Sequence, residues 1–246
     1  TVDYSICDGN PLDFVLNSSL ANTTYTWSAS VSHIANTFVT SGTEANINQI
    51  ATLTNPEVSG TITMVITPIA NGCAGESSDP ILITVNPVPV ISSVSVANTS
   101  VCSATNSTNN VSFTIVGNLP NTTYNWTAIS NGVTVVGGVT SGTITSTSTT
   151  ATVNLQVITS NSLASGTIQF EVEATRNGCS IPAISSPIVT VNPNPGLPIS
   201  SQEKTICSGG NADLNIDVTP LILGTQLQWE VVAMVDANGA IGGSGV

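Results

Sequence analysis

Positive charge is almost missing from this chain. Lys204 and Arg176 stand against 14 acidic residues, and the net charge is −12. A surface of that sign repels phosphate, which excludes nucleic acid as a partner, and it disfavours anionic membrane surfaces as well. Charged residues of either sign make up only 7% of the chain, so Thr, Ser and Asn must carry its polarity. No apolar run approaches the ~20 residues that cross a bilayer as a helix, so no membrane insertion is expected in this segment. The first residues, Thr1-Val2-Asp3-Tyr4, have neither a basic nor an apolar leader region. An export signal is therefore expected to lie outside this stretch of sequence.

The apparatus of catalysis and cofactor binding is equally scarce. His33 is the only histidine. A triad or general base would need it beside a nucleophile and an orienting acid. No histidine occupies the matching place in the other repeats described below, so His33 reads as a surface residue. There is no Gly-x-Gly-x-x-Gly phosphate loop, and Gly137-Gly138 and Gly209-Gly210 read as turns. The absence of Cys-x-x-Cys, with a single histidine, argues against zinc. No catalytic, cofactor-binding or metal residues are assigned, and the chain is read as non-enzymatic.

What the chain does have is repetition. Ser59–Pro87 aligns with Ser165–Pro193 without a gap. The shared landmarks are Ser-Gly-Thr-Ile at 59–62 and 165–168, Asn-Gly-Cys at 71–73 and 177–179, and Thr-Val-Asn-Pro at 84–87 and 190–193. Upstream, Thr-Thr-Tyr-Thr-Trp at 23–27 matches Thr-Thr-Tyr-Asn-Trp at 122–126, and Ile6-Cys7 matches Val101-Cys102. The offset grows from 95 to 99 to 106 along the repeat, as expected of fixed strands joined by loops that accept insertions. Ile206-Cys207 and Leu227-Gln228-Trp229 begin a third copy. Three units follow: 1–87, 88–193 and a truncated 194–246, with the natural protein expected to continue beyond them.

Apolar residues form 40% of the chain and fall in short alternating runs, the signature of half-buried strands. Leu12, Phe14 and Leu16 alternate with polar or outward positions. Val111, Phe113 and Ile115 do the same in the second copy, as do Leu214, Ile216 and Val218 in the third. Side chains two apart on a strand share a face. Tyr25 and Trp27, Tyr124 and Trp126, and Trp229 beside Leu227 are therefore assigned to the core, while Glu171 and Glu173 should face water. With good helix formers rare and no amphipathic helical pattern, the fold class is all-β, as tandem Ig-like sandwiches built around a buried Trp. The connectors Asn86-Pro87-Val88-Pro89 and 192–198 are proline-rich and favour extended, semi-rigid backbone, so the modules should sit end to end.

Two cysteines per repeat, without redox or metal motifs, read as one disulfide within each module. The expected pairs are Cys7 with Cys73 and Cys102 with Cys179, leaving Cys207 unpaired by truncation. Calcium is the one cofactor with any candidate ligands: Asp8 with Asp13, Glu76 with Asp79, and Asp213 with Asp217 could offer oxygens. The second copy has Ser103 and Thr108 at the places of Asp8 and Asp13, so solvated acidic faces are the better reading. Asn17, Asn22, Asn98, Asn106, Asn121 and Asn125 head Asn-x-Ser/Thr sequons, which matter only in a host that glycosylates.

Together these landmarks resemble a known family. Cys7-Asp8-Gly9-Asn10 and Cys207-Ser208-Gly209-Gly210, Thr-Tyr-x-Trp, Ser-Gly-Thr-Ile, Asn-Gly-Cys and Val-Asn-Pro are similar to the PKD-like repeats of Bacteroidota surface proteins, including gliding-motility adhesins. The Trp-Asp-Phe-Gly-Asp-Gly run is missing, since Trp27 precedes Ser-Ala-Ser and Trp126 precedes Thr-Ala-Ile, so the likeness is to the diverged branch. The resemblance implies type IX secretion, display on the outer cell surface, partnership with the secretion and gliding machinery, and no catalytic residues. The function expected on this basis is that of a tension-bearing adhesin segment with an external ligand unspecified. The alternatives are an accessory β-sandwich of a secreted polysaccharide-degrading enzyme, or a surface-layer component.

Overall fold

A computed structural model describes residues 4–103 and 110–195, with isolated short stretches between 205 and 245. Among the described residues every regular element is a strand, so the protein is all-β with Ig-like sandwich modules.

In the first module one sheet holds β1 (Tyr4–Cys7), β8 (Ile81–Asn86), β6 (Gly60–Ala70), β3 (Thr24–Ser32) and β4 (Ser41–Gly42), in that order. A short β7 (Cys73–Ala74) folds back on β6, and β2 (Pro11–Val15) pairs with β5 (Asn46–Ile50) opposite. The second module repeats the plan. Its larger sheet is β10 (Ser100–Cys102), β18 (Val189–Asn192), β16 (Gly166–Arg176), β12 (Thr122–Asn131) and β14 (Ser141–Ser146), with β17 (Cys179–Ser185) on β16. Its second sheet runs β13 (Val133–Val135), β15 (Thr150–Thr159), β11 (Asn110–Gly117), β9 (Ile91–Val96). Farther on, Trp229–Glu230 pairs with Ser244–Gly245.

Each module has its own core, because alternate residues of the facing sheets have nowhere else to exclude water. In the first, Leu12, Tyr25, Trp27, Ile47, Ile62, Met64, Ile83 and Val85 close together. In the second, Phe113 stacks on Phe170 at 4.0 Å between centroids and meets Trp126 edge-on at 6.0 Å. Tyr25, Trp27, Tyr124 and Trp126 are all buried, and Glu171 and Glu173 are exposed. The side chain of Trp229, residues 211–221 with Asp213, Leu214, Ile216, Asp217 and Val218, and Leu227 lie outside the described residues.

One feature of the packing explains a recurring glycine. Trp27 is opposite Gly42 in the β3–β4 ladder, and Trp126 is opposite Gly142 in β12–β14. A Cβ on Gly42 would stand 2.6 Å from Trp27 Cζ2, and one on Gly142 3.0 Å from Trp126 Cζ2. In each module the indole lies over the bare backbone of the neighbouring strand.

The described residues include one more edge strand in the second module than in the first, because the stretch aligned with Ile91–Val96 by the offset of 95 precedes Tyr4 and lies outside them. In the second, β9 hydrogen-bonds to β11, with Phe113 opposite Val96 and Ile115 opposite Val94. In the first, the matching β2 pairs only with β5 among the described residues. Beside it lies a groove of about 310 Å³ lined by Tyr4, Ile6, Leu12, Phe14 and Val15, where Tyr4 meets Phe14 edge-on at 4.8 Å. Among the described residues Phe14 and Leu16 are half-buried, while Phe113 and Ile115 are fully enclosed.

The disulfide expectation needs correction. Cys7 is bonded to Cys179, and Cys73, Cys102 and Cys207 are free. The reason lies in strand direction. Cys7 ends β1 opposite Asn86, and Val85 is opposite Gly60, so Cys7 sits at the Gly60 end of β6, the foot of the module. Cys73 is opposite Ala70, at the head. Ten residues of β6 separate the two levels, roughly 33 Å at the rise of a strand, whereas a disulfide requires Cα atoms within about 7 Å. The second module has the same layout: Cys102 is opposite Asn192 at the foot, and Cys179 is opposite Arg176 at the head. No pair can form inside a module. The foot of one meets the head of the next, and there the thiols join, with Cα atoms 5.7 Å apart.

Candidate functional site: the junction between modules

The head of the second module presents a two-residue hairpin. Asn177 (φ 49°) and Gly178 (φ 81°) connect Arg176 to Cys179. Two successive left-handed residues make the type I′ turn that tight hairpins require, and Asn-Gly is the pair best able to adopt it. The same turn, Asn71 (φ 51°) and Gly72 (φ 77°), connects Ala70 to Cys73 in the first module. The Asn-Gly-Cys landmark thus encodes a rigid tip that carries a thiol just past the bend.

The foot of the first module receives that tip. Asn86 is its centre and is only 5% exposed. Its side-chain amide donates to Ser5 Oγ at 2.6 Å and to the Asn177 carbonyl across the junction at 3.4 Å. Its carbonyl side-chain oxygen accepts from Ser59 Oγ at 3.4 Å, and its backbone oxygen accepts from the Asp8 N–H at 2.8 Å. Cys179 Sγ lies 4.0 Å from that same backbone oxygen. The bonded Cys179 is 1% exposed, whereas Cys73, on an identical turn, is exposed. Contact with the first module therefore accounts for the burial. Pro87 and Pro89 of the connector are also buried. Val90 N–H donates to Asn118 Oδ1 at 2.7 Å, and Asn118 N–H returns to the Val90 carbonyl at 3.1 Å, fixing the connector to the head of the second module.

The sequence pointed to Cys7 and Cys179 but not to their partnership, and it missed Asn86, Ser5 and Ser59. The signal was present: each of the three recurs in the second copy, as Asn192, Ser100 and Ser165. Two of them belong to landmarks valued above only as markers of repetition.

The acidic candidates have other occupations. Asp8 Oδ1 accepts from the buried Leu53 N–H at 2.8 Å. In the second module Ser103 Oγ accepts from Thr159 N–H at 3.1 Å. The exchange of Asp for Ser between the copies is thus an exchange of one backbone acceptor for another. Asp13, Glu76 and Asp79 are exposed, and among the described residues no three His, Cys, Asp or Glu side chains group as metal ligands do. Asn106, Thr108, Asp213 and Asp217 lie outside the described residues. His33 is exposed on a turn (φ 56°), with Nδ1 3.3 Å from Ser32 Oγ. Tyr124 is fully enclosed, and burial pushes its phenol above the usual range.

The fold and junction define a tandem of disulfide-linked, Ig-like β-sandwich modules, a general non-catalytic module type. More particularly, residues 4–89 match the PKD-like domain family. No curated protein matches the chain. Among solved structures it is similar to the C-terminal domain of the Streptococcus agalactiae AgI/II polypeptide BspA, with 7% identity over 77% of this chain and 95% of that one and a TM-score of 0.27. It is also similar to CBD12 from CALX1.2, with 7% identity, 72% and 79% covered, and a TM-score of 0.24. The zebrafish RET cadherin-like domains 1 to 4 show 12% identity, 69% and 42% covered, and a TM-score of 0.22. A disulfide and a PKD-like domain fit an extracellular module, and no helix among the described residues is long and apolar enough to cross a membrane.

Proposed function

We propose that this chain is a load-bearing, non-enzymatic segment of an adhesin displayed on the outer cell surface. The observation that carries this reading is the Cys7–Cys179 bond, which joins residues 172 apart in sequence across the module junction. Tension applied at the two ends of the chain crosses from residue 7 to residue 179 through that bond. Residues 8–178 then form a closed loop outside the load path. They comprise most of both cores, and they cannot add length even when they unfold. A stalk that must hold a binding tip away from the cell gains reach from modules in series and keeps that reach under load by this shunt. The resemblance to gliding-motility adhesins of Bacteroidota supports the same role, with type IX secretion as the export route and the secretion and gliding machinery as partners.

Two measurements test the proposal. In single-molecule pulling from the chain ends, the oxidised protein should release less length than the reduced protein. The shortfall is roughly 570–620 Å, the extended span of the 172-residue loop. Cells displaying the protein with Cys7→Ser and Cys179→Ser should detach at lower shear than wild-type cells, with attachment in still medium unchanged. Equal detachment shear would overturn the adhesin reading, and polysaccharide hydrolysis by the natural full-length protein would favour an enzyme accessory instead.

A further inference from the structure

The second module carries at its foot a copy of the socket that Cys179 fills at the first. Cys102 ends β10 opposite Asn192, as Cys7 ends β1 opposite Asn86. Asn192 donates to Ser100 Oγ at 2.8 Å and accepts from Ser165 Oγ at 2.9 Å, repeating the clasp of Asn86 by Ser5 and Ser59. Its backbone oxygen accepts from the Ser103 N–H at 2.7 Å, as Asn86 does from Asp8. The thiol in this socket is exposed and unbonded. At the opposite end of the tandem the hairpin Asn71-Gly72-Cys73 repeats the geometry of Asn177-Gly178-Cys179, and its thiol is also exposed and unbonded. Among the described residues the two modules therefore present an unfilled socket at one end and an unbonded plug at the other, with one filled pair between them as the pattern.

We infer that the Cys102 socket binds the Asn-Gly-Cys hairpin of another PKD-like module and forms a disulfide with it, so that successive modules are stapled head to foot by one repeating bond. In the isolated chain the free hairpin of this kind is Asn71-Gly72-Cys73, supplied by a second copy. The contact is heterologous and does not close on itself, so it propagates as a chain rather than stopping at a dimer. With a low-molecular-weight disulfide such as oxidised glutathione as oxidant, the chemistry balances. The Cys102 thiolate attacks the oxidant, forming a mixed disulfide and releasing one glutathione. The Cys73 thiolate of the seated hairpin then attacks the Cys102 sulfur and releases the second. Each protein thiol loses one proton, two protein sulfurs are oxidised, and one glutathione disulfide is reduced to two thiols. This inference uses the junction geometry and not the mechanical role: a chain that polymerises this way yet fails the shear test would keep it and lose the adhesin reading.

The test uses the full chain with Cys207→Ser, so that only two free thiols remain. Incubated with oxidised glutathione, it should give a ladder of covalent oligomers on non-reducing gels, and peptic mass mapping should recover Cys73–Cys102 peptides. Cys73→Ser or Cys102→Ser should abolish growth beyond dimers; both positions are exposed, so folding should be unaffected. Asn192→Ala leaves both thiols in place but removes the socket's centre, and it should slow the ladder. The inference is overturned if Cys73–Cys73 and Cys102–Cys102 links dominate, or if Asn192→Ala cross-links as fast as the parent, since either result means collision between exposed thiols rather than a seated hairpin.

Discussion

The two modules share landmarks, the strand order of the larger sheet and core positions, yet among the described residues they are set apart at two places. At the foot, Cys7 is bonded and Cys102 is free; at the head, Cys179 is buried and Cys73 is exposed. In each case the residues are the same or nearly so, and the neighbour differs. A module of this type is thus complete only when its neighbours are counted, because its terminal cysteines lie where an adjoining module meets it.

The largest expected effect comes from removing what joins the pair. In the oxidised protein the modules should unfold as one coupled unit. Cys7→Ser with Cys179→Ser should separate them into two calorimetric transitions and remove about 5 kcal/mol in the chain-entropy model for a loop of 172 residues. A single unchanged transition in the double variant would mean that noncovalent contacts at Asn86 already couple the two.

Enclosure sets the cost of truncating an aromatic ring. Phe113→Ala should cost about 3–5 kcal/mol, since its ring is enclosed between Phe170 and Trp126. Phe14→Ala should cost about 1–2 kcal/mol, because that ring already meets water. Denaturant melts of each variant measure this, and equal losses would show that the groove beside β2 is filled in solution.

The Asp8 and Ser103 equivalence is open to a swap. Asp8→Ala strands the Leu53 N–H and should cost about 1–3 kcal/mol, whereas Asp8→Ser should restore much of it, because serine does this work in the second module. A failed rescue would show that the carboxylate has a further role. Gly42→Ala and Gly142→Ala offer a finer contrast. The closer approach at Gly42 should make its substitution the costlier, at about 1–3 kcal/mol from overpacking against Trp27.

The smallest effect concerns Tyr124. Burial raises its phenol pKa in the folded protein, so stability is intact below the ordinary value of about 10 and declines as pH rises through the folded value, the unfolded chain ionising first. Tyr124→Phe should flatten the alkaline limb of a stability–pH curve and leave neutral pH nearly unchanged. An identical alkaline limb in the variant would assign that limb to other groups.

Much of this protein was legible from residue order alone. Alternation two residues apart placed Tyr25, Trp27, Tyr124 and Trp126 inside and Glu171 and Glu173 outside, because a strand must turn alternate side chains to opposite faces wherever it lies. The scarcity of Lys, Arg and helix formers restricted the fold to strands. Half-burial of Phe14 was not legible, since it depends on what stands beside β2 rather than on β2 itself.

The cysteines divide the two kinds of knowledge most clearly. Their number and equivalent spacing came from the sequence, which also supplied the Asn-Gly turn that makes Cys73 and Cys179 sit at a hairpin tip. Which sulfur meets which was decided by tertiary structure, because spacing along a chain carries no direction in space. Only the antiparallel run of β6 puts Cys7 and Cys73 at opposite ends of one sandwich, and only the stacking of foot on head brings Cys7 and Cys179, 172 residues apart, to bonding distance.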